Sequence, residues 1–138
     1  MARLARPAYV PIVNEVSGLL DHIGRTPLVP LRRLGAGLPV PVLVKCEHMN
    51  PGGSVKDRIA KAIVDDAEAR GMLRPGMTLI EATAGNTGMG LALVAAARGY
   101  ELVCVMPEKM SSDKRIALAA AGAPQAWPWL DRVRAASA

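Results

Sequence analysis

Phenylalanine is absent from this 138-residue chain, and aromatics of any kind make up 3% of it. A core of this size must therefore be built from Ala, Val, Leu, Ile and Met. Few rings also leave little for base stacking, so the formal charge of +5 does not point to nucleic acid. Several of the arginines, Arg3, Arg6, Arg132 and Arg134, lie near the two ends. Cysteine is scarce too. Cys46 and Cys104 each sit in an apolar run, which excludes a disulfide framework and reads as small buried hydrophobes in a reducing compartment. His22 and His48 have no partners at ligand spacing, so no metal site is expected. Long apolar runs are missing: Met89 to Ala97 falls far short of the ~18 residues that cross a bilayer. The first residues hold arginines without a sustained apolar stretch, so no targeting segment is read there. The expectation is a soluble cytoplasmic protein without membrane or nucleic-acid partners.

What is present is apolar and alternating. Hydrophobic residues are 51% of the chain, enough for a packed domain. Residues 1–13 read as a loose arm. Asn14 caps a short helix, Glu15 to His22, which Gly24 ends. Thr26 to Leu31 is extended. Val40 to Glu47 reads as a buried strand. A turn at Asn50 to Gly53 leads into a helix that runs to Arg70. Thr78 to Ala82 and Glu101 to Met106 read as strands, Met89 to Arg98 and Ser112 to Ala121 as helices. Strands alternating with such helices predict an α/β fold with a mainly parallel sheet in a three-layer α/β/α arrangement. No repeat, low-complexity segment or linker interrupts it.

Ligands of such sheets sit off the C-terminal strand ends. Three loops leave those ends: His48 to Lys56, Thr83 to Gly88 and Pro107 to Lys114. In the first, Ser54 is a good N-cap and Asp57 completes a box-like S-x-x-D start. Lys56 then falls in the first helical turn, where the dipole opposes a cation. A neutral amine there is the nucleophile that condenses with an aldehyde, whereas a surface lysine would simply reach for water. Asp57 and Arg58 read as helix-start and surface contacts, Ser111 and Ser112 as caps of the last helix, and residues 108–115 as a solvated face. Asp65, Asp66 and Glu68 share a helix but nothing orients them for acid–base work. The second loop, Thr83-Ala84-Gly85-Asn86-Thr87-Gly88, combines glycines, side-chain donors and a helix start, a cradle for carboxylate or phosphate. Its spacing is not that of a dinucleotide fingerprint, and Gly52 to Lys56 in the first loop is not a P-loop.

These motifs together resemble the fold-type-II pyridoxal-phosphate family of cysteine synthase and cystathionine β-synthase, a fold like that of the tryptophan synthase β-subunit. The resemblance is carried by residues 23–29 (IGRTPLV), Lys45-Cys46-Glu47, residues 50–60 (NPGGSVKDRIA), 81–92 (EATAGNTGMGLA) and 106–114 (MPEKMSSDK). It implies a pyridoxal phosphate (PLP) cofactor held by Lys56, which later moves the substrate α-proton. It implies that Asn86 hydrogen-bonds the cofactor's ring oxygen. Thr83, Ala84, Gly85, Asn86 and Thr87 match the loop that grips the substrate carboxylate. The implied reaction is β-replacement on serine or O-acetylserine by a thiol, sulfide or homocysteine, giving cysteine or cystathionine in a homodimeric enzyme. The stretch 106–114 leans towards the cystathionine β-synthase branch.

Three departures shape the expectation. Ala84 stands where the family has serine, so one hydroxyl donor is lost. No second glycine–threonine cradle for the cofactor phosphate is found. Residues 123–138, which hold both tryptophans, depart from the family's pattern. The expected organisation is a partial PLP-enzyme domain: arm 1–13, family-like core 14–122 and atypical tail 123–138, a truncated or frame-shifted product. The alternative is a non-catalytic remnant or interaction fragment that holds no cofactor alone.

Overall fold

The computed structural model describes residues 18–83, 85–107, 110–123 and 127–128. The expected arm and most of the tail lie outside these residues. A 3-10 turn at Leu19–His22 opens the described chain, and residues 14–17 of the expected helix lie outside it. The strands are β1 (Leu28–Pro30), β2 (Leu43–Lys45), β3 (Thr78–Ala82), β4 (Glu101–Met106) and β5 (Trp127–Pro128). The helices are α1 (Lys56–Ala69), α2 (Asn86–Arg98) and α3 (Ser112–Ala120).

The architecture is α/β. β3, β4 and β5 form a parallel sheet in that order, with Thr78 opposite Glu101 and Val105 opposite Trp127. The short β5 falls within the stretch set apart as an atypical tail. β4 is central and apolar: Leu102, Val103, Cys104 and Met106 are buried, as a strand between two neighbours should be. The core adds Leu91, Ala92, Val94 and Ala95 of α2, Ala60 and Val64 of α1, and Leu118 of α3. Each fully buried Val or Leu contributes about 1.5–3 kcal/mol.

One strand departs from expectation. Val40 to Glu47 is not a buried member of the parallel sheet. Only Leu43–Lys45 is strand, it pairs antiparallel with β1, and its residues are exposed. Pro39 and Pro41 supply no N–H before it, and Pro30 supplies none across from Leu43, so the ladder stays short and at an edge. Glu47–Met49 turns into a 3-10 segment instead.

The seam between α1 and α2 decides how the loops meet. Gly90 makes it close: a Cβ there would lie 3.0 Å from Ala60 Cβ, 3.1 Å from Lys56 O and 3.2 Å from Asp57 Cα. Gly88 likewise faces Thr83 Cγ2 at 2.8 Å and Leu118 Cδ2 at 3.3 Å. These glycines are buried inside α2 and serve packing; they are not part of an open turn. At the far end of the seam Arg98 clamps Asp65 and Glu68 of α1, and Tyr100 donates to Glu68 at 2.8 Å.

Candidate functional site

Two of the three expected loops meet beside α3, although the first of them follows β2, which lies outside the parallel sheet. A cavity of about 300 Å³ is lined by Gly52 from the first loop, Gly85 and Asn86 from the second, and Lys114 beyond the third. Met89, Ala117 and Leu118 form its apolar wall. The first-turn N–H groups of α2 have no acceptor within the helix, and they stand where Gly85 and Asn86 meet the cavity. One wall is therefore polar and rich in donors, and Lys114 adds a cation.

Lys56 is the first residue of α1 and is half-buried. Its backbone N–H donates to Ser54 Oγ at 3.1 Å. Its side chain is not among those lining the cavity; Gly52 of the same loop is. The reciprocal box with Asp57 does not form. Asp57 is fully buried, not a surface contact. Its Oδ2 accepts from Gly52 N at 2.5 Å, and its Oδ1 is buried without a hydrogen-bond partner. Burial pushes the Asp57 carboxyl above its ordinary value, against the Gly52 N–H that favours the charged form. A Cβ on Gly52 would meet Asp57 Oδ1 at 2.5 Å, so only glycine lets the turn settle on this carboxylate.

Arg58, also expected at the surface, instead completes a polar hub. Its Nε and Nη2 donate to the two oxygens of Glu47, each at 2.8 Å. Nη2 also donates to Gly24 O at 2.8 Å. Glu47 accepts further from Thr26 Oγ1 and Asn50 Nδ2, both at 2.8 Å. These bonds, Arg58 first, hold the Glu47 carboxyl down at about 2 against the opposing effect of burial. Gly24 has φ +85°, and a Cβ there would meet Arg58 Nη1 at 2.7 Å.

Of the expected carboxylate-gripping loop, Gly85 and Asn86 reach the cavity. Thr83 and Thr87 flank it without lining it: the Thr83 methyl packs under Gly88, while its hydroxyl accepts from Gly85 N at 3.5 Å. Ala84 lies outside the described residues. Ser111 occupies the N-cap of α3 but makes no side-chain capping bond, and Ser112 donates to Asp113 at 3.5 Å. Gly52 and Lys114 fall in loops expected at the crevice but were not singled out, and the Glu47–Arg58 hub was not foreseen. Lys114 carried a signal, a cation closing a strand-end loop, although residues 108–115 were read mainly as a solvated face.

A parallel α/β sheet, a lysine opening a helix after a glycine turn, and a donor-rich loop beside it define a class of cofactor enzymes. Residues 19–129 match the family described as pyridoxal-phosphate dependent enzyme, and the chain belongs to that family. A cystathionine beta-synthase from Apis mellifera is 53% identical over 117 residues, 83% of this chain and 23% of that protein. A cysteine synthase from Staphylococcus aureus is 51% identical over 110 residues, covering 80% and 36%. The crystal structure of an O-ureido-L-serine synthase matches with TM-score 0.74 at 50% identity, over 83% of this chain and 36% of that one. The fold is thus that of fold-type-II PLP enzymes. The chain spans 23% to 36% of the length of these relatives.

PLP is the family's cofactor, and the donor-rich Gly85–Asn86 turn at the cavity suits its oxygen acceptors, while the Lys56 side chain stands outside the cavity lining. The close seam at Gly90 sets the backbone of Lys56 against α2, one turn from the Asn86 amide.

Proposed function

We propose that this chain carries the lysine-bearing part of a PLP-dependent β-replacement enzyme. It would act on serine or O-acetylserine and give cysteine or cystathionine. The observation that carries this reading is the cavity where the loop of Lys56, the Gly85–Asn86 turn and Lys114 come together. Pyridoxal phosphate, when bound, supplies an electron sink for the negative charge left at the substrate's α-carbon.

The chain's own residues have separate tasks in this reading. Lys56 Nζ holds the aldehyde and later carries the α-proton. Asn86 donates to the ring oxygen. Thr83, Gly85 and Thr87, with Ala84, take the substrate carboxylate through N–H and hydroxyl donors, one hydroxyl fewer than a serine at Ala84 would give. Met89, Ala117 and Leu118 keep water from the reacting bond. Lys114 suits an acceptor that itself bears a carboxylate, which favours homocysteine over sulfide. A reducing, cytoplasmic setting and a homodimer belong to the same proposal; both described cysteines are free. Among the described residues no helix is long and apolar enough to cross a membrane.

A second reading rests on a specific observation. Large apolar side chains of the strands are exposed, Ile80 at 68% and Leu28 at 56%. That surface suits a fragment that associates and holds no cofactor by itself.

Cofactor capture separates the two. Purified chain is mixed with PLP, reduced with borohydride, and the modified peptide is mapped. An adduct on Lys56 that disappears in Lys56→Ala supports the enzyme reading. Labelling spread evenly over the surface lysines rejects it for this chain.

A further inference from the structure

Glu47 lies away from the cavity, yet one of its oxygens closes the loop that carries Lys56. Oε2 accepts from Asn50 Nδ2 and from Arg58 Nε, each at 2.8 Å. Residues 50 and 58 bracket the whole segment that holds Gly52 and Lys56. A single carboxylate oxygen therefore ties the two ends of that segment together. The other oxygen ties the segment to the rest of the fold, accepting from Arg58 Nη2 and Thr26 Oγ1 at 2.8 Å. Asn50 Oδ1 completes the frame by accepting from Gly24 N at 2.8 Å.

We infer that Glu47 is a positioning residue: its carboxylate, acting through Asn50 and Arg58, fixes where the Lys56 amine and the Gly52 cavity wall stand. The inference rests on the proposed role of Lys56. It does not make Glu47 a catalytic residue, since Glu47 does not line the cavity. The chemistry of the hub requires a carboxylate. All four groups that meet it are donors, and an ionised carboxylate is the side chain that only accepts. An amide of the same shape would turn one oxygen into a donor facing donors. Aspartate would be one methylene too short to keep all four bonds.

The test uses the full chain and two readouts. One is amide hydrogen exchange between residues 50 and 58, with β4 as the internal reference. The other is the ratio of Lys56 to Lys61 labelling by PLP and borohydride; Lys61 is on the same helix, paired with Asp65 at 2.7 Å. In Glu47→Gln, exchange in the segment rises by about tenfold or more, the worth of a charge-assisted hydrogen bond. The labelling ratio falls by a similar factor, while β4 keeps its protection.

Unchanged exchange and unchanged labelling in Glu47→Gln overturn the inference. Arg58→Lys replaces the fork that spans both Glu47 oxygens and Gly24 O with a single ammonium, and serves if Glu47→Gln fails to fold. A uniform rise across the chain, β4 included, in both variants shows a role in bulk stability and also overturns it. If the parent shows no preference for Lys56 while Glu47→Gln still loosens residues 50–58 alone, the proposed function falls and the control of the segment by Glu47 stands.

Discussion

At the scale of single residues, two carboxylates beside Lys56 pull in opposite directions. Glu47 is held at about 2, below its ordinary 4.5, by Arg58 first and then Thr26 and Asn50. A lowered carboxyl contributes stability that is complete above 4.5 and is lost as pH falls towards 2. Asp57 is raised above 3.8 by burial. A raised carboxyl favours the fold in its protonated form, so its contribution declines as pH rises above 3.8. The two partly cancel on the acid side. Glu47→Gln is expected to flatten the acid loss of stability between pH 4.5 and about 2, and Asp57→Asn to steepen only the part of it above pH 3.8. Urea midpoints measured across that range check both signs; parallel curves for the two variants would contradict the assignment. Asp57→Ala removes the acceptor of Gly52 N. The expected cost is about 1–3 kcal/mol at neutral pH, read from the same denaturation curves.

At the scale of elements, the seam of α1 and α2 joins the two halves of the site. Gly90→Ala puts a methyl at 3.1 Å from Lys56 O and 3.0 Å from Ala60 Cβ. Two helix backbones must move apart, at an expected cost of about 1–3 kcal/mol. Melting temperature reads the cost, and the yield of the Lys56 adduct reads the displaced amine. A variant with parent stability and parent yield would show that the seam has slack. The same seam marks what the sequence made legible. β3, β4, α2 and α3 were readable because apolar runs and glycine stops fix them locally, and the place of the Gly85–Asn86 turn at the cavity followed from strand direction. β2 was misplaced because an apolar run says nothing about prolines starving its ladder. Asp57 and Arg58 were misread as exposed because burial there depends on Gly52, and on partners as far as Gly24, 34 residues away. No spacing rule reports a hub assembled from three separated segments. Lys114 became a cavity residue only when α3 packed beside α2.

At the scale of the whole molecule, apolar exposure and net charge compete. Leu28 and Leu43 are 56% and 47% exposed on the β1–β2 pair, and Ile80 is 68% exposed on β3. Among the described residues β3 pairs only with β4, which leaves one edge of the sheet open. Open edges with apolar side chains are templates for pairing with another chain. Opposing this, the chain carries a formal charge of +5, and like charges on two copies repel beyond contact. That repulsion is screened over about 8–10 Å at moderate salt, whereas apolar burial is not weakened by salt. Self-association is therefore expected to grow with protein concentration and with added salt, the reverse of what an ion-paired interface would do. Sedimentation velocity at low and high salt reads it directly. Ile80→Lys adds a charge at the open edge and removes its most exposed apolar side chain, so it is expected to shift the distribution back to monomer without lowering the Lys56 adduct. If the parent stays monomeric at every concentration and salt, the apolar surface of β3 does not template pairing and the expectation is overturned.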